Sequence, residues 1–153
     1  MADEDGRKHL ELVQAVITRL AGNSFAIKAW AVSLITVLAA LAAKDGNLRL
    51  AVPLVVPALC FWGLDAYYLR QEKLFRKLYV KIAKQDPSIP PFSMNTQPVA
   101  HEVDGLLKVA WSPTVRWLHL PILILVIVVI GFAAAKRASS NNGSPHKIEN
   151  KTH

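Results

Sequence analysis

From Trp117 to Ala135, nineteen consecutive positions carry no Asp, Glu, Lys or Arg, and their centre reads Ile-Leu-Ile-Leu-Val-Ile-Val-Val-Ile (122–130). As a helix this stretch rises roughly 28 Å, close to the thickness of a bilayer's hydrocarbon core. It has no polar face that a soluble fold would turn to water. A chain containing it is therefore expected to enter a membrane, and every other segment has to be read with that in mind.

Two more blocks resemble it. Phe25 to Ala43 is apolar except for Lys28, Ser33 and Thr36, and Leu48 to Leu69 follows after the turn-forming Lys44-Asp45-Gly46-Asn47. Charges sit between and around the blocks instead of interleaving at helical period. The expected fold class is all-α: an integral membrane protein with three transmembrane helices, a hairpin over 25–69 and a third span over 113–135. An amphipathic helix is expected within 1–24, a basic helix and Pro-rich loop within 70–112, and a disordered tail over 136–153.

The local signals are specific enough to test. Leu10, Val13, Ile17 and Leu20 recur at helical spacing, and Gly22-Asn23-Ser24 reads as a stop and a fresh N-cap. That first helix is expected on the membrane surface or against the bundle. Alanines at 39, 40, 42 and 43 mark a close-packing face. Pro53 and Pro57 predict an irregular start to the second span. Trp30, Trp62, Tyr67, Tyr68 and Trp117 lie near span ends, where amphipathic rings anchor at headgroup level. Folding the hairpin about Gly46 and Asn47 places Lys28 level with Asp65. An unpaired carboxylate there is costly, so an ion pair or a shared water network is expected; independent snorkelling to water is the alternative.

After the second span, Leu74, Leu78 and Ile82 repeat every four residues, while Arg70, Lys73, Arg76, Lys77, Lys81 and Lys84 cover most of the remainder. This basic amphipathic helix suits anionic lipid headgroups or a soluble protein partner. Phe75 and Tyr79 interleave with the cations as a nucleic-acid platform would need, but they share the apolar face, which makes nucleic acid the weaker reading. Asp86-Pro87 ends the helix, a loop runs to about Pro98, residues 99–111 are expected as a short helix with Val103, Leu106, Leu107 and Ala110 on one face, and Ser112-Pro113 reads as an N-cap with proline at the first helical position. The net charge of +7 agrees with an anionic partner. Most of the Lys and Arg lie in the N-terminal segment and in 70–116, so the positive-inside rule puts the N-terminus and 70–112 in the cytoplasm of a multi-pass protein of the inner (plasma) membrane. The tail is then expected outside, unless the third segment is re-entrant.

Chemistry is hard to assemble from these residues. There is no Gly-rich phosphate loop, His101-Glu102 lacks the second histidine of a zinc-protease helix, and the five histidines are scattered. His9 and His119 are expected to be solvated or interfacial, and Cys60 to act as a small hydrophobe. No catalytic residue, metal site or cofactor is expected, and the chain is not read as an enzyme.

The stretch Phe61-Trp-Gly-Leu-Asp-Ala-Tyr-Tyr-Leu-Arg-Gln-Glu-Lys-Leu-Phe-Arg-Lys-Leu-Tyr79, preceded by Asn23-Ser-Phe-Ala-Ile-Lys-Ala-Trp30, resembles the small bacterial membrane proteins related to SLATT-type transmembrane effectors of antiphage and nucleotide-signalling systems. The resemblance spans roughly residues 20–85 and consists of topology and aromatic/basic pattern. It implies a hairpin that oligomerises and permeabilises the inner membrane when a partner signals. The third span and the absence of a sensor domain depart from that pattern. The expected function is thus a self-associating membrane effector or accessory subunit that perturbs or gates the bilayer, in phage defence. The alternative is a non-catalytic anchor or scaffold that recruits a soluble partner through 70–111. A channel or transporter subunit would need a polar face along a span, which the sequence does not offer.

Overall fold

A computed structural model describes residues 2–46 and 48–142. Its helices are α1 (Ala2–Asp45), α2 (Leu48–Ala51), α3 (Val55–Ala83), α4 (Leu106–Ala110) and α5 (Pro113–Asn142), with short 3-10 turns at Val52–Leu54 and Gln97–Glu102. The described residues contain no strand. Three helices are long and apolar enough to cross a membrane.

The N-terminal amphipathic helix and the first span are one helix of 44 residues, roughly 66 Å long. The expected stop at Gly22-Asn23-Ser24 does not occur. Glycine and asparagine each cost up to about 1 kcal/mol in a helix interior. Apolar contacts with α3 on both sides of the triplet outweigh that cost: Val13 and Ile17 before it, Ala31 and Ile35 after it. The basic helix expected as a continuation of the second span is one. The second span and the basic helix form a single α3, antiparallel to α1 over most of its length.

Proline does shape the start of the second span. The chain leaves α1 through Gly46, whose φ of +61° suits a residue without Cβ. It then takes one turn of α2 and the 3-10 turn at Pro53 before α3 begins. The third span is a continuous helix. Lys136 on α5 stands beside Gly46, which puts the C-terminal part of α5 at the same end of the bundle as the hairpin turn. Helix also continues to Asn142, past the expected tail boundary at 136; the remainder of that tail lies outside the described residues.

Two apolar cores result. The first lies between the spans and is rich in alanine: Ala31, Ala39, Ala42, Ala51, Ala58 and Ala133 are buried with Ile35, Leu54, Val126 and Val129. Small side chains let the backbones approach closely, and the contact area supplies dispersion energy where lipid offers no hydrophobic drive. The second lies beyond the spans: Val13 and Ile17 of α1 meet Leu74 and Leu78 of α3, with Val99 from the connection closing over them. The apolar face of the basic helix is thus covered by α1 and by the 97–102 turn rather than resting on lipid.

The connection after α3 differs from expectation in detail. The short helix expected over 99–111 is split into the 3-10 turn, an extended residue at Val103 and α4. Leu107 is 81 % exposed while Val109 is buried, so the expected shared face is not formed. The carbonyl of Ser112 accepts the first bonds of α5 from Val115 and Arg116, but its buried hydroxyl has no partner and does not cap the helix. His9, expected in solvent, is buried and fastens the loop: its Nε2 donates to the Ser93 carbonyl at 2.9 Å, and its Nδ1 accepts from the Phe92 N–H at 3.3 Å. Phe92 is held there at a φ of +56°.

Truncation of a fully buried member of the second core, Leu78→Ala, is expected to cost roughly 2–5 kcal/mol. The control Leu12→Ala, on the exposed side of α1, should leave the thermal midpoint in detergent nearly unchanged. Equal shifts for both variants would mean that the second core is not formed.

Candidate functional site: a buried carboxylate shared by three helices

Between the two cores lies a polar layer. Asp65 is 17 residues beyond Leu48, the first residue of α2, roughly 26 Å of helical rise and so about one hydrocarbon thickness of chain from the hairpin turn. His119 is 17 residues before Lys136, about 26 Å along α5, which brings it to the same level. Helical register alone delivers both groups to one plane. Lys28 and Ser24 arrive there from α1, one turn apart.

The geometry is closed around the carboxylate, whose side chain has no solvent exposure. Asp65 Oδ1 accepts a hydrogen bond from the Ser24 hydroxyl at 2.6 Å and another from Lys28 Nζ at 2.5 Å. Lys28 Nζ also donates to Ser24 Oγ at 2.7 Å. On the other side, His119 Nε2 donates to Asp65 Oδ2 at 3.1 Å. One carboxylate thus joins α1, α3 and α5. Lys28 keeps part of its side chain outside, while the imidazole is buried and its Nδ1 has no hydrogen-bond partner.

Trp62 closes the remaining side. One turn before Asp65, its ring lies parallel to the His119 ring at a centroid distance of 6.2 Å and edge-on to Trp111 at 5.3 Å. Its indole N–H donates to the Ala110 carbonyl at 2.9 Å, which ties the end of α4 to α3. Trp62 was expected as a lipid-facing anchor; it faces inward because α4 and α5 supply an aromatic wall and a carbonyl on that side. Trp30, Trp117 and Tyr67 project outward, and Tyr68 packs edge-on against Tyr67. Cys60 also faces outward.

Sequence reasoning paired Lys28 with Asp65 but missed Ser24 and His119. Ser24 was taken for a cap because of its Gly-Asn neighbours, and His119 for an interfacial residue. Counting helical rise back from Lys136 to the level of Asp65 would have found the histidine.

The basic residues of α3 do not share one partner. Arg70 donates to the Asp104 carbonyl at 3.2 Å, and Arg76 pairs with Glu72 one turn back. Lys77 and Lys81 face Glu102 at 3.6 and 3.2 Å, and Lys108 holds Asp104 at 2.8 Å. Glu102 and Asp104 therefore point to separate partners, and the described residues contain no group of three or more His, Cys, Asp or Glu side chains able to hold a metal. No protein-family model, curated protein or solved structure matches the chain.

Removing the carboxylate alone strands a partly buried ammonium and a buried imidazole. Asp65→Ala is expected to destabilise the bundle by about 3–5 kcal/mol. Replacing both members, Asp65→Leu with Lys28→Met, should restore much of the loss, because no charge is then left unpaired. Thermal midpoints in detergent check this, and a double variant no better than Asp65→Ala would remove the ion pair from the account.

The link between Glu102 and α3 carries a pH dependence. The hydrogen bond from Lys81, aided by the positive charges of Lys81 and Lys77, holds the Glu102 carboxyl below its ordinary value of 4.5. A lowered folded-state value means the attachment is at full strength above 4.5 and is lost as pH falls through that lower value. Amide exchange over 97–105, corrected for intrinsic rates, is expected to accelerate only below that range. Acceleration near neutral pH would contradict the assignment.

Proposed function

We propose that this chain is a multi-pass inner-membrane protein acting as a self-associating membrane effector or accessory subunit that perturbs or gates the bilayer, in bacterial phage defence. The observation that carries this reading is the Asp65 knot. Ionisable side chains at membrane depth are expensive and ordinarily serve a pathway, a relay or a switch. Here they tie α5 to the hairpin at one level, so opening that junction would leave α5 held by the alanine-lined core alone and able to repack. Repacking of this kind is how a closed bundle becomes a lesion in the bilayer. The alanine face predicted for self-association is used inside the bundle. Association in the membrane therefore falls to the outward faces, such as Leu34, Val37 and Leu41 on α1 and Ile124, Ile127 and Val128 on α5.

The positive-inside rule supports placing the N-terminus, the second core and residues 70–112 in the cytoplasm. In that orientation Arg70 and Lys73 sit nearest the anionic headgroups of the inner leaflet. A second reading, the non-catalytic anchor or scaffold, is favoured by the folding of 84–112 against α3. That folding gives the cytoplasmic end a shaped surface for a soluble partner. Neither reading calls for an enzyme activity or a cofactor.

Induced expression is expected to make cells leak ions and a small dye, and Asp65→Ala, at equal membrane levels, to leak more than the wild type because the junction that holds the bundle closed is then open. Intact membranes at high levels of inserted wild-type protein would count against the effector and leave the scaffold.

A further inference from the structure

A cleft of about 690 Å³ lies between the polar face of α3 and the segment 102–104. On the α3 side, Lys73, Lys77, Lys81 and Lys84 recur at steps of four, four and three. At 100° per residue these steps keep all four on one face, in a row roughly 16 Å long. The opposite face of the same helix is the one buried in the second core, so the row cannot turn away from the cleft.

The acidic residues in the wall are already engaged. Asp104 is held by Lys108 on its own segment, and the Asp86 carboxylate accepts the Ser88 N–H at 2.9 Å and stands 4.0 Å from Lys81 at the end of the row. Lys73 and Lys84 make no ion pair within 4.0 Å among the described residues. Glu102 is different. It reaches from the 3-10 turn to a point between Lys77 and Lys81, at 3.6 and 3.2 Å, and remains partly exposed. Its carboxylate occupies the position that one anionic group of a ligand would take, and exposed pairs of this kind hold only weakly.

We propose that this cleft binds an anion bearing several closely spaced phosphates, with Glu102 as the built-in competitor it displaces. Several phosphates are required because the lysine row is longer than one phosphate can span. Lysine suits them as a flexible point charge, with no need for the planar fork of arginine. The lining contains no aromatic side chain, so no stacking platform for a base is present and recognition falls on the phosphates themselves. A bilayer could supply the same chemistry through phosphorylated headgroups. Position favours a soluble source for most of the row: Lys77 to Lys84 lie 8 to 15 residues beyond Leu69, roughly 12–22 Å along the helix and more than one Debye length from the bilayer at physiological salt. Displacing Glu102 would also loosen the turn over the second core, and the site stands whatever the spans do in the membrane.

The test is calorimetric titration of tripolyphosphate into the full chain in discs of phosphatidylcholine. Saturable binding at one site is expected. It should weaken roughly tenfold in each of Lys81→Met and Lys84→Met, the loss of one charge-assisted contact, and should strengthen in Glu102→Gln, which removes the competitor. Because Lys84 is exposed and unpaired, its substitution leaves the fold intact and keeps the comparison valid. Discs containing a phosphoinositide, titrated with no soluble ligand, identify the source. Protection of the lysine row there, with no response to tripolyphosphate, would overturn the soluble ligand. So would tripolyphosphate binding that all three variants leave unchanged, or no binding at all.

Discussion

The three-helix arrangement depends on one carboxylate. Asp65 has no water to solvate it, so it must be neutralised and hydrogen-bonded inside the protein or not be charged at all. Ser24 and Lys28 meet that demand from α1, and His119 meets it from α5. Apolar packing by itself would allow the helices to slide or rotate against one another, since lipid tails and leucine side chains are alike to each of them. A buried acceptor with three donors from two other helices permits one register. The alanine-lined core can then close at short range because rotation and height are already set.

The same knot divides the molecule. On one side is the core of the spans, built from small residues. On the other is the small core of Val13, Ile17, Leu74, Leu78 and Val99, built from larger side chains that do exclude water. Two continuous helices, α1 and α3, pass through both, so a displacement at the knot is felt in either part without a hinge. His9 and Glu102 are the fasteners that hold the connecting loop to this rod pair. They act at different parts of the loop, His9 on Phe92 and Ser93 and Glu102 from the 97–102 turn to α3, which allows the loop to be loosened piecewise.

Several elements were legible from residue order. The apolar blocks, the irregular start at Pro53 and the level of Lys28 with Asp65 follow from helical rise and side-chain chemistry, both of which act locally. The misreadings share one cause. Gly22-Asn23-Ser24 carries the local signature of a helix end, but neighbouring helices offered more contact than the local signals cost. His9, His119 and Trp62 were placed in solvent or lipid because their partners, a loop carbonyl, a carboxylate and the end of α4, are 84, 54 and 48 residues away in sequence.

By itself the sequence determined that the chain is helical, that three segments suit a bilayer and that the cations gather on one side of them, because each follows from composition over a single helix length. Only the tertiary structure decided that α1 runs unbroken, that His119 completes the Asp65 knot and that Glu102 sits across the lysine row. Those outcomes depend on which faces of separate helices meet. That choice is made by the summed cost of leaving buried polar groups unpaired, a quantity that no single segment contains.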